Sequence, residues 1–454
     1  MRYNPFSPGG VVKTTLFGGR TEYILRILKR LNSVKHGRPT SFYLFGERGI
    51  GKTALAKLIS FISEESEEEL FSLNFLTSYY SVQHNQSFRS VLESSLNNIA
   101  DQMENSILAA IGRRLGGVFK NGKFSIGAFG IKASYESGGS ESIPTEPILI
   151  KDQVVSIIRN ILREITSQHD ETSKDGILVI IDEMDNISDL DTAASIIRGI
   201  TAELDFEDLG FISFLLIGYK SGLEKFARGD ESIRRLLDPI QLTEMSDNEV
   251  VETFEKGFSA AEIKWDKEIL KKKVWITGGY PLAIQIIGYH TVEADNDNFI
   301  DEIDWEKSVV DSHLELIDKE YSSYYSFGVK KKKNSDKVLL ALAIGARMNC
   351  NTLSVKEIEH ISGVKNPSQY LKMLMKNGIV LRDVSNNEYC LRKGLLGNSI
   401  VLDLILTYGS EKGYEFYEKI KSKVSNIARK KVNNGDRSLF SAFESETQSL
   451  KKMS

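Results

Sequence analysis

Gly46-Glu47-Arg48-Gly49-Ile50-Gly51-Lys52-Thr53 spells GERGIGKT, and these residue types at this spacing are suited to hold a polyphosphate. The glycines let backbone N–H groups turn inward around phosphate oxygens, and a helix starting here would add its partial positive charge. Lys52 supplies a point charge for the β and γ phosphates, Thr53 a hydroxyl for a magnesium ion, and Ala54 closes the binding segment. A second chemical pair, Asp182-Glu183, follows the apolar run Ile177-Leu178-Val179-Ile180-Ile181. Asp182 is expected to bind magnesium through its water shell, and Glu183 to orient or deprotonate an attacking water. Asp185, in the same IDEMDNI stretch, reads as a helix cap or surface carboxylate. The expected cofactors are ATP and Mg²⁺.

These groups need a scaffold that brings residues 46–53 and 182–183 together. Phe42-Tyr43-Leu44-Phe45 reads as the strand before the loop, and Ala54-Leu55-Ala56-Lys57-Leu58-Ile59 as the helix after it. Residues 177–181 have no polar face, which predicts a central parallel strand buried on both sides. Ligands of such sheets bind beyond the carboxyl ends of the strands. The expected fold class is therefore α/β: a P-loop NTPase core, with a parallel sheet flanked by helices.

Residues 71–75 alternate apolar and polar and are expected to form the second strand, and the acidic run 64–69 before them a solvated helix end. Residues 151–166 and 192–204 carry helical periodicity, residues 211–218 read as another buried strand, and residues 239–242 as the last core strand. From about 97 to 147 an inserted helix and hairpin are expected around Asn121-Gly122. Arg113, Arg114, Lys120, Lys123 and Lys132 make it either a nucleic-acid or partner contact or a plain surface excursion.

Bulk properties narrow the class. With 454 residues there is length for about three domains, and 41% hydrophobic with 26% charged residues is globular, not disordered, composition. A net charge of −4 gives no global attraction to nucleic acid, so such binding would need local patches. Two cysteines and six histidines without metal-ligand spacing argue against a disulfide framework or structural zinc. No signal-peptide core or membrane-length apolar run is present, so a cytoplasmic protein that does not engage membranes is expected.

Ahead of the loop, Phe17-Gly18-Gly19-Arg20-Thr21-Glu22 leads into a helix with apolar Tyr23, Ile24, Ile27, Leu28 and Leu31. Here the chain resembles AAA+ and STAND-related ATPases of the origin-recognition-like, archaeal-type branch. The resemblance implies that Phe17, Gly18, Gly19 and Arg20 flank the adenine. It implies a γ-phosphate sensor at the end of strand 211–218, but this sequence has Gly218-Tyr219-Lys220-Ser221 there instead of the usual Asn or Thr. It also implies an arginine finger, for which Arg234 and Arg235 are the candidates. Thr277-Gly278-Gly279-Tyr280-Pro281 looks like the lid motif of these ATPases, so Pro281 would start a helix close to the nucleotide.

Further on, helices at 338–346, 355–361 and 367–376 and a strand pair around Asn386-Asn387 resemble a winged helix-turn-helix domain. A DNA-reading version would present Ser368, Gln369, Lys372 and Lys376 to the major groove; a packing module would not. The expected organisation is a core at 1–242, a helical lid at 243–295, a helical linker or arm at 296–335, a winged helix at 336–411 and a basic helix and tail at 412–454. The function this implies is an ATP-binding and hydrolysing switch whose nucleotide state controls self-association and engagement of double-stranded DNA or a protein partner. The alternative is a scaffold that keeps its nucleotide, with little turnover and no DNA binding.

Overall fold

The computed structural model describes residues 3–10, 16–64, 66–68, 71–103, 108, 111, 113–115, 119–120, 123–124, 126, 147–166, 173–316, 333–347, 350, 352–383, 387–391, 397–398, 400–402, 406 and 409–433. They form two compact units, one of residues 11–243 and one of residues 1–10 with 244–454.

In the first unit, α1 (Thr21–Lys35), β1 (Ser41–Phe45) and α2 (Lys52–Glu64) come in the expected order. β1 is buried at every position, so it needs cover on both faces and takes a central place in the sheet. Next come β2 (Ser66–Glu68), β3 (Phe71–Leu73), β4 (Phe75–Ser81) and α3 (Phe88–Ala100). This corrects two expectations. The alternation at 71–75 is divided: β3 pairs antiparallel with β2 in a small ladder, and the strand that enters the main sheet is β4. Of the acidic run, Glu64 does end a helix, α2, while residues 66–68 supply a strand, β2, where only a solvated helix end was expected. Seven residues of β4 register with seven of its neighbour at 176–182, Phe75 opposite Gly176 through Ser81 opposite Asp182, a ladder the shorter segment could not build.

Of the region 97–147, β5 (Phe119–Lys120) and β6 (Lys123–Phe124) pair antiparallel, as expected of a hairpin. Asn97 on α3 holds it, donating to the Phe124 carbonyl at 3.2 Å and accepting the Phe124 N–H at 2.7 Å. Asn121-Gly122 and Lys132 lie outside the described residues. After α4 (Pro147–Thr166) come β7 (Gly176–Asp182), α5 (Leu190–Phe206), β8 (Ile212–Gly218), α6 (Lys220–Gly229) and β9 (Leu237–Gln241).

Among the described residues the main sheet is five-stranded in the order β4-β7-β8-β1-β9. All its neighbours run parallel. One face is closed by Ile157 and Ile161 of α4, Ile197 and Leu204 of α5 and Phe226 of α6, packed on Ile177, Phe214 and Tyr43. Parallel strands put all carboxyl ends on one edge. The ends of β1, β8 and β7, at Phe45, Gly218 and Asp182, thus stand side by side, on the edge where ligands of such sheets bind.

The second unit contains α7 (Asp247–Ala260), β10 (Lys264–Trp265), α8 (Lys267–Lys273), α9 (Pro281–Ala294), β11 (Phe299–Ile300) and α10 (Glu302–Leu316). Ser246 and Glu249 form a capping box that fixes the start of α7. Residues 1–10, expected with the core, belong here. The Phe6 ring sits where α7 and α9 present Gly257 and Gly288, beside Phe254 and Phe258 at 5.8 Å between centroids. The Ser7 N–H donates to Gln285 at 2.9 Å. Residues 302–316, expected in a helical linker or arm, form the helix α10, which packs along α9 with His290 and Glu315 2.7 Å apart.

Then come α11 (Lys333–Arg347), α12 (Val355–Ser362), α13 (Ser368–Lys376), β12 (Val380–Asp383), β13 (Glu388–Leu391) and α14 (Ser410–Asn433). The three helices and the strand pair follow the expected order, and Leu353 adds a bridge to Tyr389. Trp275 lies 4.6 Å from the Tyr417 ring of α14, and the buried Asn398 amide donates to the Thr277 carbonyl. Residues 317–332 and 434–454 are outside the described set.

Candidate nucleotide site

The loop between β1 and α2 takes the backbone shape its composition allows. Gly49 and Gly51 have φ of +78° and +92°, which side chains with a Cβ rarely adopt, and Gly51 hands the chain to α2. Lys52 is the first residue of that helix. Its Nζ donates to the carbonyls of Gly46 at 2.8 Å and Glu47 at 2.9 Å, and stands 4.8 Å from the centroid of the Tyr219 ring. Burial lowers the Lys52 pKa, while Asp182, Asp185 and Glu47 work in the opposite direction.

Asp182 ends β7 with its side chain 4% exposed. The hydroxyls of Thr53 and Tyr79 each donate to its Oδ2 at 2.7 Å, and the N–H of Glu183 donates to Oδ1 at 2.8 Å. A buried carboxylate so supplied with donors stays in one orientation. Burial and then the bond to Asp182 raise the Tyr79 pKa, so that hydroxyl remains a donor. Sequence reasoning missed Tyr79. Placing the strand at 75–81 would have revealed it, because Tyr79 registers with Ile180, two positions before the acid.

Glu183 is exposed and held in the left-handed region at φ +61°, a conformation that strains a residue with a side chain. Its Oε2 accepts from Asn186 Nδ2 at 3.1 Å, and the same amide reaches the Val82 carbonyl at 3.1 Å. Asn186 thereby ties the acid to the turn after β4, a role the sequence did not disclose. Asp185 is exposed as a residue, yet its Oδ2 accepts the N–H of Tyr219, the residue that starts α6, at 2.7 Å. Burial of its carboxyl raises the Asp185 pKa.

Arg20 is buried, at the start of α1, and also left-handed at φ +64°. Its guanidinium donates to the Ile50 carbonyl at 3.2 Å and to the Thr243 carbonyl, so it clasps the phosphate loop from beneath. Gly18 and Gly19 are buried beside it and Phe17 is half-buried. Arg234 and Arg235 are exposed on a 3₁₀ turn, Glu231–Arg235, that leads into β9. Among the described contacts neither joins the cluster of Lys52, Thr53, Tyr79 and Asp182. Pro281 occupies the first turn of α9, in the other unit. Ser368, Gln369, Lys372 and Lys376 are exposed together on α13, while Leu371 and Leu374 turn inward.

Among the described residues no group of three or more His, Cys, Asp or Glu side chains is arranged to hold a metal. The Thr53–Asp182 pair nevertheless fits magnesium, which characteristically takes one or two protein oxygens and completes its shell with phosphate and water. No described helix is long and apolar enough to cross a membrane.

Residues 16–210 match the family model of the AAA ATPase domain. No curated protein matches the sequence. Similar solved structures include the Aeropyrum pernix ORC2 protein in its ADPNP–ADP complexes, 16% identical, covering 89% of this chain and 95% of that one at a TM-score of 0.38. A Walker-type ATPase of Pyrococcus abyssi is 12% identical over 84% of this chain and 95% of that one, with a TM-score of 0.42. Cdc6p from Pyrobaculum aerophilum is 16% identical over 94% and 97%, with a TM-score of 0.41. The stretch that matches the AAA ATPase domain contains both the loop that ends in Lys52 and Thr53 and the strand that ends in Asp182.

Proposed function

We propose that the protein binds ATP with Mg²⁺ at the turn between β1 and α2, hydrolyses it, and uses the nucleotide state as a switch. The observation that carries this reading is the 2.7 Å bond from Thr53 to Asp182 beside the Lys52 ammonium. Thr53 and Asp182 would hold magnesium, which when bound offsets negative charge on the phosphates. Lys52 exchanges the Gly46 and Glu47 carbonyls for phosphate oxygens, and the backbone of residues 46–54 wraps the polyphosphate. Glu183, steadied by Asn186, orients the attacking water and accepts its proton. Phe17, Gly18 and Gly19 are assigned to the base and Pro281 to the lid. Arg20 supports the loop, and Arg234 and Arg235 are assigned to the γ-phosphate of a neighbouring subunit.

Engagement of double-stranded DNA through Ser368, Gln369, Lys372 and Lys376, and self-association in the ATP state, complete the proposed cycle. The exposure of all four on one helix supports it. A second reading, a scaffold with retained nucleotide and little turnover, is favoured by Tyr219 standing where an Asn or Thr sensor would be. The test is equilibrium binding of ADP and a non-hydrolysable ATP analogue with and without Mg²⁺, followed by steady-state turnover with and without duplex DNA. Magnesium-dependent binding that Lys52→Ala abolishes, together with DNA-stimulated turnover, is the expected result. Retained nucleotide with negligible turnover supports the scaffold, and absence of magnesium-dependent affinity overturns both.

A further inference from the structure

The two bonds from Lys52 Nζ to the Gly46 and Glu47 carbonyls satisfy two of its three N–H groups, and the Tyr219 ring stands 4.8 Å away. That is within the range of a cation over an aromatic face. The ring has a fixed base. Its own N–H is held by Asp185 Oδ2 at 2.7 Å, and Asp185 can approach only because residues 218 and 222 lack side chains. A Cβ at Gly218 would lie 2.7 Å from Asp185 Oδ2, and one at Gly222 2.3 Å from Oδ1. Behind this, Phe226 of α6 packs on Tyr43 of β1 at 6.0 Å between centroids. Tyr219 itself is 44% exposed.

We infer that Tyr219 is a positioning residue whose ring holds the Lys52 ammonium against the loop and competes for it with an arriving polyphosphate. The inference rests on the nucleotide-binding reading above. An ammonium with three donors cannot keep both carbonyls and the ring while also engaging phosphate oxygens, so the ring competes with the ligand. Because Tyr219 is the residue from which α6 starts, departure of the ammonium alters the interaction at the root of that helix, which runs toward the turn bearing Arg234 and Arg235.

The experiment is titration of the full chain with MgADP by calorimetry, for the parent protein and for Tyr219→Leu, Tyr219→Phe and Tyr219→Trp, each first checked for an unchanged melting curve. Loss of the ring in Tyr219→Leu is expected to tighten MgADP binding by about twofold to fivefold. Tyr219→Phe keeps the ring and should restore the parent affinity, and Tyr219→Trp, with a stronger π face, should bind more weakly than the parent. Leucine that leaves affinity unchanged or reduces it, in a parent that binds MgADP, overturns the role of Tyr219 alone. Phenylalanine that behaves like leucine assigns the effect to the hydroxyl and overturns it too. A parent with no magnesium-dependent affinity would remove the nucleotide reading itself, and the inference with it.

Discussion

The hydroxyl of Thr53 and the carboxylate of Asp182, 129 positions apart in the chain, meet at 2.7 Å where β7 ends and α2 begins. The Tyr79 hydroxyl donates to the same carboxylate oxygen. Replacing Thr53 by Ala, or Asp182 by Asn, is expected to weaken the magnesium-dependent part of nucleotide affinity by about tenfold or more while leaving the weaker magnesium-free binding in place. Titrations in excess Mg²⁺ and in EDTA measure the two parts separately. Equal loss in both would remove Asp182 and Thr53 from the metal site.

Glu183→Gln keeps the size and hydrogen-bonding reach of the side chain and removes the carboxylate to which we assign the base. Nucleotide affinity should stay close to that of the parent, and single-turnover hydrolysis should fall by about 10²- to 10⁴-fold. Asn186→Ala should give a smaller drop in turnover with affinity preserved, since Asn186 acts only through the carboxylate it holds. Wild-type turnover in the Gln variant would exclude Glu183 as the base.

Burial depresses the pKa of Lys52, so its charged form is disfavoured in the folded protein relative to the unfolded chain. The unfavourable contribution is complete below the folded pKa and disappears as pH rises to the ordinary lysine value of about 10.4. Lys52→Met should therefore abolish nucleotide binding yet raise the melting temperature of the nucleotide-free protein at neutral pH. That advantage should shrink in alkaline buffer. A melting temperature below that of the parent at pH 7 would show that the bonds to Gly46 and Glu47 outweigh desolvation.

Arg20 is the charged donor to two backbone carbonyls, and its removal leaves the Ile50 and Thr243 oxygens short of a partner. Arg20→Met should destabilise the first unit by about 2 kcal/mol, lowering the melting temperature by roughly 4–8 °C. Lysine lacks the fork that spans both oxygens, so Arg20→Lys should recover little. Recovery by lysine would mean that charge alone, not geometry, supports the loop.

If α13 contacts duplex DNA through phosphate, the double variant Lys372→Ala, Lys376→Ala should reduce the slope of log affinity against log salt by about 2. Ser368→Ala or Gln369→Ala should change sequence preference with little change in that slope. A salt dependence that ignores both lysines removes α13 from the interface.

The parts of the site that were legible in the sequence are those whose spacing the chemistry dictates. A phosphate loop tolerates little variation, and an acid directly after an unbroken β-branched run marks the carboxyl edge of a buried parallel strand. Tyr79 was hidden because β4 is an edge strand whose second half is polar and only half-buried, so the neater alternation at 71–75 competed with it. Arg20 and Glu183 adopt left-handed backbone without being glycine, which no propensity announces. The approach of Tyr219 to Lys52 depends on the side-by-side ends of β1 and β8, and becomes visible only once the strand order is known.

Phe6 has a practical consequence. Its ring plugs a slot whose walls are Gly257, Gly288, Phe254 and Phe258. Loss of that ring would uncork the slot, turning a closed interior into an adhesive patch. Residues 3–10 thus act as a structural peg, and their displacement would expose the apolar wall they cover.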